Sequence, residues 1–361
     1  MPTNRFAAQL LRNVLRINGS RTCCSTCSPL STTVTKLKVP VSSSLAITRF
    51  YSDDSSNDVH LSKEASPSPE VPEPLVKIEK DTQYHIMSIG INRPNKRNCV
   101  NYETSEALLQ AFLDFEADNE MNVAILYGEG GNFCAGYDLE ELSDLDEGNF
   151  ADKIAHIAMG KGPMGPTRLE RTKPSIAAIN GYAVAGGMEL ALSCDIRIME
   201  ESSQTGLLNR RFGVPLIDGG SIRLPELIGL SRAMDLIITG RLLSAKEAFE
   251  FGIANLLVKD GTAYGRAYHL AQEISKHPQE CLKADKKSAY FSTFSSTSLE
   301  DSFHYENENA IPILQKESIE GAKKFVKGLG KHGKFNVFPT VEPEEWQKEF
   351  ARLKEEKIEK E

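Results

Sequence analysis

The first 52 of the chain's 361 residues contain no aspartate or glutamate. They carry seven basic residues instead: Arg5, Arg12, Arg16, Arg21, Lys36, Lys38 and Arg49. No apolar run approaches the roughly eighteen residues that a membrane-spanning helix needs, so no span is expected. The seven histidines show no His-x-x-x-His spacing and none lies beside a cysteine pair, so no metal site is expected. Cysteine is sparse. Cys24 and Cys27 form a lone C-x-x-C with no companion pair. Cys99, Cys134, Cys194 and Cys281 are scattered, as in a reducing compartment.

The acid-free segment has further order. Phe6, Leu10, Val14 and Ile17 fall on one side of a helix, and Arg5, Arg12 and Arg16 on the other. Serine and threonine are dense from Ser20 to Ser44. This is the composition of a mitochondrial transit peptide, expected over residues 1–51 with cleavage after Tyr51 and delivery to the matrix. The alternative is a basic tail that stays attached. Residues 52–75, acidic and rich in Ser and Pro, read as a linker. Without the first 52 residues, 35 basic residues stand against 50 acidic ones, a balance near −15. Nucleic-acid binding wants a basic face, so that balance argues against it.

What the chain does have is a central stretch, Asn180 to Asp195, reading NGYAVAGGMELALSCD. The β-branched run ending at Ile179 predicts a strand, and the residues after Gly187 predict a helix. A strand–glycine loop–helix junction leaves backbone N–H groups unpaired. The small residues Ala185, Gly186 and Gly187 admit a ligand close to them. Glu189 follows one turn later. Such N–H groups stabilise an enolate or oxyanion, and a carboxylate moves a proton. A bland reading, a glycine turn with an ordinary first-turn acid, fits as well. A second unit upstream weighs against it: Val123 to Tyr127 predicts a buried strand, and Gly128, Gly130 and Gly131 break it before Phe133 to Leu139.

Four blocks in order carry a family resemblance: NRPNKRNCVN from Asn92, GNFCAGYDL from Gly131, NGYAVAGGMELALSCDIRI from Asn180 and GVPLIDGGSIRLPELIG from Gly213. Over about residues 76 to 335 the chain resembles the crotonase, or enoyl-CoA hydratase/isomerase, superfamily. The resemblance implies an α/β fold, a crotonase-like spiral of ββα units over 76–261, with an all-helical C-terminal region over 262–335 that builds trimers or hexamers. It implies an acyl-CoA thioester substrate and no separate cofactor. It places the oxyanion donors at the N–H groups of Tyr137 and Gly186, and the first catalytic glutamate at Glu189. The second glutamate position falls on Asn209, which cannot exchange a proton as a carboxylate does. Asp218 is the candidate to compensate, or else it caps the following helix. Ala135, Tyr137, Asp138 and Leu139 are implied beside the CoA ester. Lys96 and Arg97 lie near the CoA phosphates in the family, unless they are merely solvated. Phe325 and Lys327 resemble a segment that reaches a neighbouring subunit's CoA, unless they simply end an amphipathic helix.

The expected activity is hydration or isomerisation of an enoyl-CoA. Thioester hydrolysis, decarboxylation and a non-catalytic or RNA-binding role are the alternatives. Residues 160–165 match G-x-G-x-x-G but follow no strand, so they read as a mobile loop bordering the acyl pocket, not a dinucleotide site. Helices are predicted over 102–115, 224–229, 231–239, 245–251, 263–275, 279–290, 299–310 and 315–326, and a charged helical tail over 336–361.

Overall fold

The computed structural model describes residues 73–145 and 162–329. The transit peptide, most of the linker, the C-x-x-C pair, the start of the G-x-G-x-x-G match and the charged tail lie outside the described residues.

A hairpin opens the fold: β1 (Val76–Asp81) pairs antiparallel with β2 (Ile86–Ile91). Helix α1 (Tyr102–Ala117) follows, its first turn closed by the Asn101 side chain, which accepts the Thr104 N–H. Next come β3 (Val123–Gly128), the short α2 (Leu139–Ser143), β4 (Ser175–Ile179), β5 (Tyr182–Val184) and α3 (Gly186–Leu192). They are followed by β6 (Ile196–Glu200), β7 (Gln204–Gly206), α4 (Gly220–Ile228), α5 (Leu230–Thr239) and β8 (Leu243–Ser244). The remainder is α6 (Ala245–Phe251), β9 (Leu256–Val258), α7 (Ala263–Ser275), α8 (Gln279–Phe294), α9 (Leu299–Ile313), a π-turn and α10 (Ile319–Val326).

The strands form two sheets. The larger runs β1-β2-β3-β4-β6-β9, parallel from β2 onward. The smaller runs β5-β7-β8. Side chains alternate across a strand, and the large sheet uses both faces. Ala124, Leu126, Ala177 and Ile179 point to the face covered by Leu108, Phe112 and Phe115 of α1. Val123, Ile125, Ile176 and Ile198 point to the other, where α7 packs through Ala263, Ala267 and Ala271. Alanines four apart form a smooth stripe on which the bulkier strand residues close.

The helices predicted between residues 102 and 326 are present, several longer than expected. Helix α4 begins at Gly220, four residues before Leu224, and α8 runs on to Phe294. Ser244 caps α6 by accepting the Glu247 N–H, and Gly252, at φ 86°, ends it. The stretch 315–326 is interrupted by a π-turn at Leu314–Ser318.

Candidate active site

The two glycine loops lie against each other. The Val184 N–H donates to Cys134 O at 3.0 Å, and the Cys134 N–H donates to Tyr182 O at 2.9 Å. The approach is close enough to exclude side chains: a Cβ on Gly187 would lie 2.1 Å from Cys134 O. Gly136, at φ 100°, packs so that an added Cβ would meet Ala185 Cβ at 3.0 Å and Gly186 N at 3.2 Å. Ala185 itself takes φ 53°, ψ −125°, a conformation alanine rarely adopts. Its N–H is fixed by Gly206 O of β7 at 2.8 Å.

This packing places the Gly186 N–H beside Gly136 and the Tyr137 N–H one residue further on. Neighbouring backbone groups are consumed: the Val100 N–H goes to Gly136 O and the Asp138 N–H to Val100 O, each at 2.8 Å. The N–H groups of Tyr137 and Gly186 make no hydrogen bond among the described residues. Gly186 opens a helix, as read from the sequence. Tyr137 does not; it lies in an extended segment two residues before α2.

Glu189 is on the first turn of α3 and only 2% exposed. Its Oε1 accepts the Asp218 N–H at 3.1 Å and the Gly220 N–H at 2.8 Å. Burial, then the nearby Asp218 charge, pushes its pKa up to about 7 against these hydrogen bonds. Asp218 is buried too. Its Oδ1 accepts the Met164 N–H at 3.1 Å and the Thr167 hydroxyl. Burial raises its pKa. The capping reading of Asp218 is overturned, because Gly219 is the N-cap of α4 and makes no side-chain cap. The segment 162–165 is buried, held by a Gly165 N–H to Gly162 O bond of 2.9 Å. Met164 lies against Gly186, where an added Cβ would meet its Sδ at 2.7 Å. That part of the expected mobile loop is a fixed wall linking Asp218 to the donor pair.

Other expected residues are placed differently. Asn209 is 7% exposed in a 3-10 turn, Leu208–Phe212. Its Oδ1 is sealed without a partner, and no hydrogen bond joins its amide to either carboxylate. The Asp138 carboxylate pairs with Arg93 at 2.8 Å and accepts the Glu140 N–H at 3.2 Å. Lys96 is exposed and pairs with Glu140. Arg97 is exposed, its guanidinium 5.6 Å from the Tyr182 ring centroid. Its carbonyl accepts the Ala135 N–H at 3.0 Å, so both residues border the donor loop. The Tyr137 hydroxyl donates to Glu141 at 2.9 Å. Leu139 is exposed on α2. Phe325 and Lys327 are exposed at the end of α10.

Thr167, Met164 and Arg223 were not expected. A threonine in an irregular Pro-rich segment and an arginine on an amphipathic helix carry no local signal of the carboxylate they serve.

The described residues contain no group of three or more His, Cys, Asp or Glu that would hold a metal ion. None of their helices is long and apolar enough to cross a membrane.

Residues 81–332 match the family model for enoyl-CoA hydratase/isomerase. A carnitinyl-CoA dehydratase of Salmonella enteritidis is 33% identical over 249 residues, 67% of this chain and 92% of its own length. A mevalonyl-coenzyme A hydratase of Aspergillus fumigatus is 31% identical over 207 residues, 57% of this chain and 75% of its own. The crystal structure of an enoyl-CoA hydratase from Mycobacterium tuberculosis superposes with a TM-score of 0.64 at 35% identity, covering 71% of this chain and 96% of that one. With both donor loops, the carboxylate site and the helical region inside the matched span, the chain belongs to the enoyl-CoA hydratase/isomerase family.

Proposed function

We propose that the protein hydrates an α,β-unsaturated acyl-CoA, with Glu189 and Asp218 as its proton-transfer pair. The observation behind this reading is two buried carboxylates, Glu189 on α3 and Asp218 on the loop whose N–H groups bind Glu189, beside two N–H groups with no protein acceptor among the described residues. The thioester carbonyl would accept the Tyr137 and Gly186 N–H groups. One such donor contributes about 2.7–4 kcal/mol to a developing oxyanion. Glu189 takes a proton from water as its oxygen bonds to C3, and the electron pair of the double bond moves toward the thioester as an enolate. Asp218, whose burial favours the protonated form, returns a proton to C2. The pair thus ends with its protons exchanged and is reset by transfer between the two or through solvent. Asn209 has no proton to give and would at most orient the water. The names of the relatives support a lyase, since both enzymes add or remove water at a CoA ester.

The same pair can instead move a proton along the acyl chain and isomerise a double bond. The test is a panel of enoyl-CoA esters graded by chain length, read for hydrated and for isomerised product. Hydration is expected. Glu189→Gln should lower its turnover about 10²-fold or more, the scale of a positioned acid–base group, with little change in ester affinity. Undiminished turnover in that variant would rule out Glu189 as the base. Matrix targeting by residues 1–51 belongs to the same reading. Sequencing the N-terminus of protein isolated from mitochondria tests it, with a start near Ser52 expected.

A further inference from the structure

Arg223 takes no part in the chemistry above, yet it touches the supports of both carboxylates. Its guanidinium is half-buried on α4. Nη1 donates to Asp218 O at 3.0 Å, and Nη2 donates to Thr167 O at 2.6 Å. Asp218 O belongs to the loop whose Asp218 and Gly220 N–H groups bind Glu189 Oε1. Thr167 O belongs to the residue whose hydroxyl binds Asp218 Oδ1. One planar fork therefore ties a segment near residue 167 to a loop some fifty residues later, and each end carries a carboxylate's partner. The loop crosses directly over the guanidinium: Gly219 takes φ 95°, and a Cβ there would lie 2.2 Å from Arg223 Nη1. Lysine offers a point charge without the fork, so it cannot reproduce this geometry.

The charge matters beside the geometry. Asp218 and Arg223 face Glu189; Arg168, Arg223, the Thr167 hydroxyl and the Met164 N–H face Asp218. Tyr290 from α8, Arg171, Cys194 and Asp218 face Arg223. Arg223 opposes the effect of burial on both carboxylates.

We propose that Arg223 is a positioning residue for the acid–base pair: through two carbonyls it fixes the loop that binds Glu189 and the threonine that binds Asp218. This rests on the reading of Glu189 and Asp218 as that pair. The test uses the full chain with ¹³C-labelled carboxyl groups, the Glu189 resonance being assigned by its loss in Glu189→Gln. Its titration midpoint and the pH profile of kcat on crotonyl-CoA are measured for wild type, Arg223→Gln and Arg223→Lys.

In Arg223→Gln the midpoint should move to higher pH and kcat should fall about tenfold or more, since misplaced catalytic groups cost heavily, with KM little changed. In Arg223→Lys the midpoint should stay near that of wild type while kcat still falls. Midpoints and kcat unchanged in both variants, with only a lowered melting temperature, would overturn the proposal. If Arg223→Gln does not fold, wild-type kcat in Arg223→Lys overturns it. If wild type hydrates no enoyl-CoA, the hydratase reading fails, and the titration midpoints still decide whether Arg223 governs Glu189.

Discussion

Glu189 is a carboxyl group that the fold prefers uncharged. Its folded-state pKa, about 7, lies above the ordinary 4.5. The associated stability is therefore complete below about pH 4.5 and is lost as pH rises through about 7. Above that, the native state holds a buried anion. Glutamine keeps an oxygen for the Asp218 and Gly220 N–H groups and removes the charge. Glu189→Gln should thus stabilise the protein at pH 8 by up to about 3 kcal/mol, at 1.36 kcal/mol per pKa unit, and hardly at all at pH 4.5. Denaturant unfolding at the two pH values measures this. An equal gain at both would mean that the carboxylate carries no such strain. Gly136 allows a separate test of the donor pair. Alanine there would be forced into φ 100° and against Ala185 Cβ and Gly186 N. Gly136→Ala should lower kcat by 10²–10³, the loss expected for one oxyanion donor, and leave the pH dependence of Glu189 in place. Steady-state kinetics against pH reads both.

At the scale of elements, the helix that carries Glu189 is anchored from behind by a charged clasp. Asp195, three residues past the end of α3, accepts the Lys286 ammonium of α8 at 2.8 Å and the Tyr290 hydroxyl at 3.2 Å. It also accepts the Ser175 N–H at 2.8 Å. Lys286 is 11% exposed and donates as well to Lys173 O at 2.7 Å. Lys286→Met would leave Asp195 charged and half-satisfied, a loss of about 3–5 kcal/mol for a broken buried pair. Equilibrium unfolding should show it, and a change under 1 kcal/mol would contradict the clasp. Very little of this was legible in the sequence. Strands β2, β3 and β4, the glycine loops and the caps at Ser244 and Gly252 have local causes: a β-branched run, a left-handed turn, a hydroxyl before a helix. The three-residue strands β5, β7 and β9 have none, because so few residues show no period. Asp218 was legible as a candidate, but its partners Met164 and Thr167 lie about fifty residues away. Such contacts are created by the tertiary fold, not by spacing along the chain. The partner of Asp138 was hidden for the same reason: its adjacency to Tyr137 in sequence says nothing of Arg93, with which its carboxylate pairs.

At the scale of the whole molecule, helix α5 presents two apolar faces and the described residues cover only one. Ala233 and Leu236 are buried against the core. Leu230, Met234 and Ile238, four apart and so aligned, lie on the other side, with Leu230 66% and Ile238 65% exposed. Ile222 on the adjoining α4 is 60% exposed. Leu299 and Phe303 on α9 are also exposed. Large exposed apolar side chains aligned along a helix mark an association site more often than a solvated face. A second copy of the chain is a fitting occupant, because the stripe lies on a helix held rigid by its buried face. We therefore expect a trimer or hexamer by light scattering at micromolar concentration. The double variant Leu230→Lys, Ile238→Glu places two charges on the stripe without touching Ala233 or Leu236. It should reduce the assembly's mass while circular dichroism stays close to wild type, because no core contact is lost. A wild-type monomer would contradict association through this face. An assembly that survives the double variant would put its interface elsewhere, on the helical region beyond residue 299.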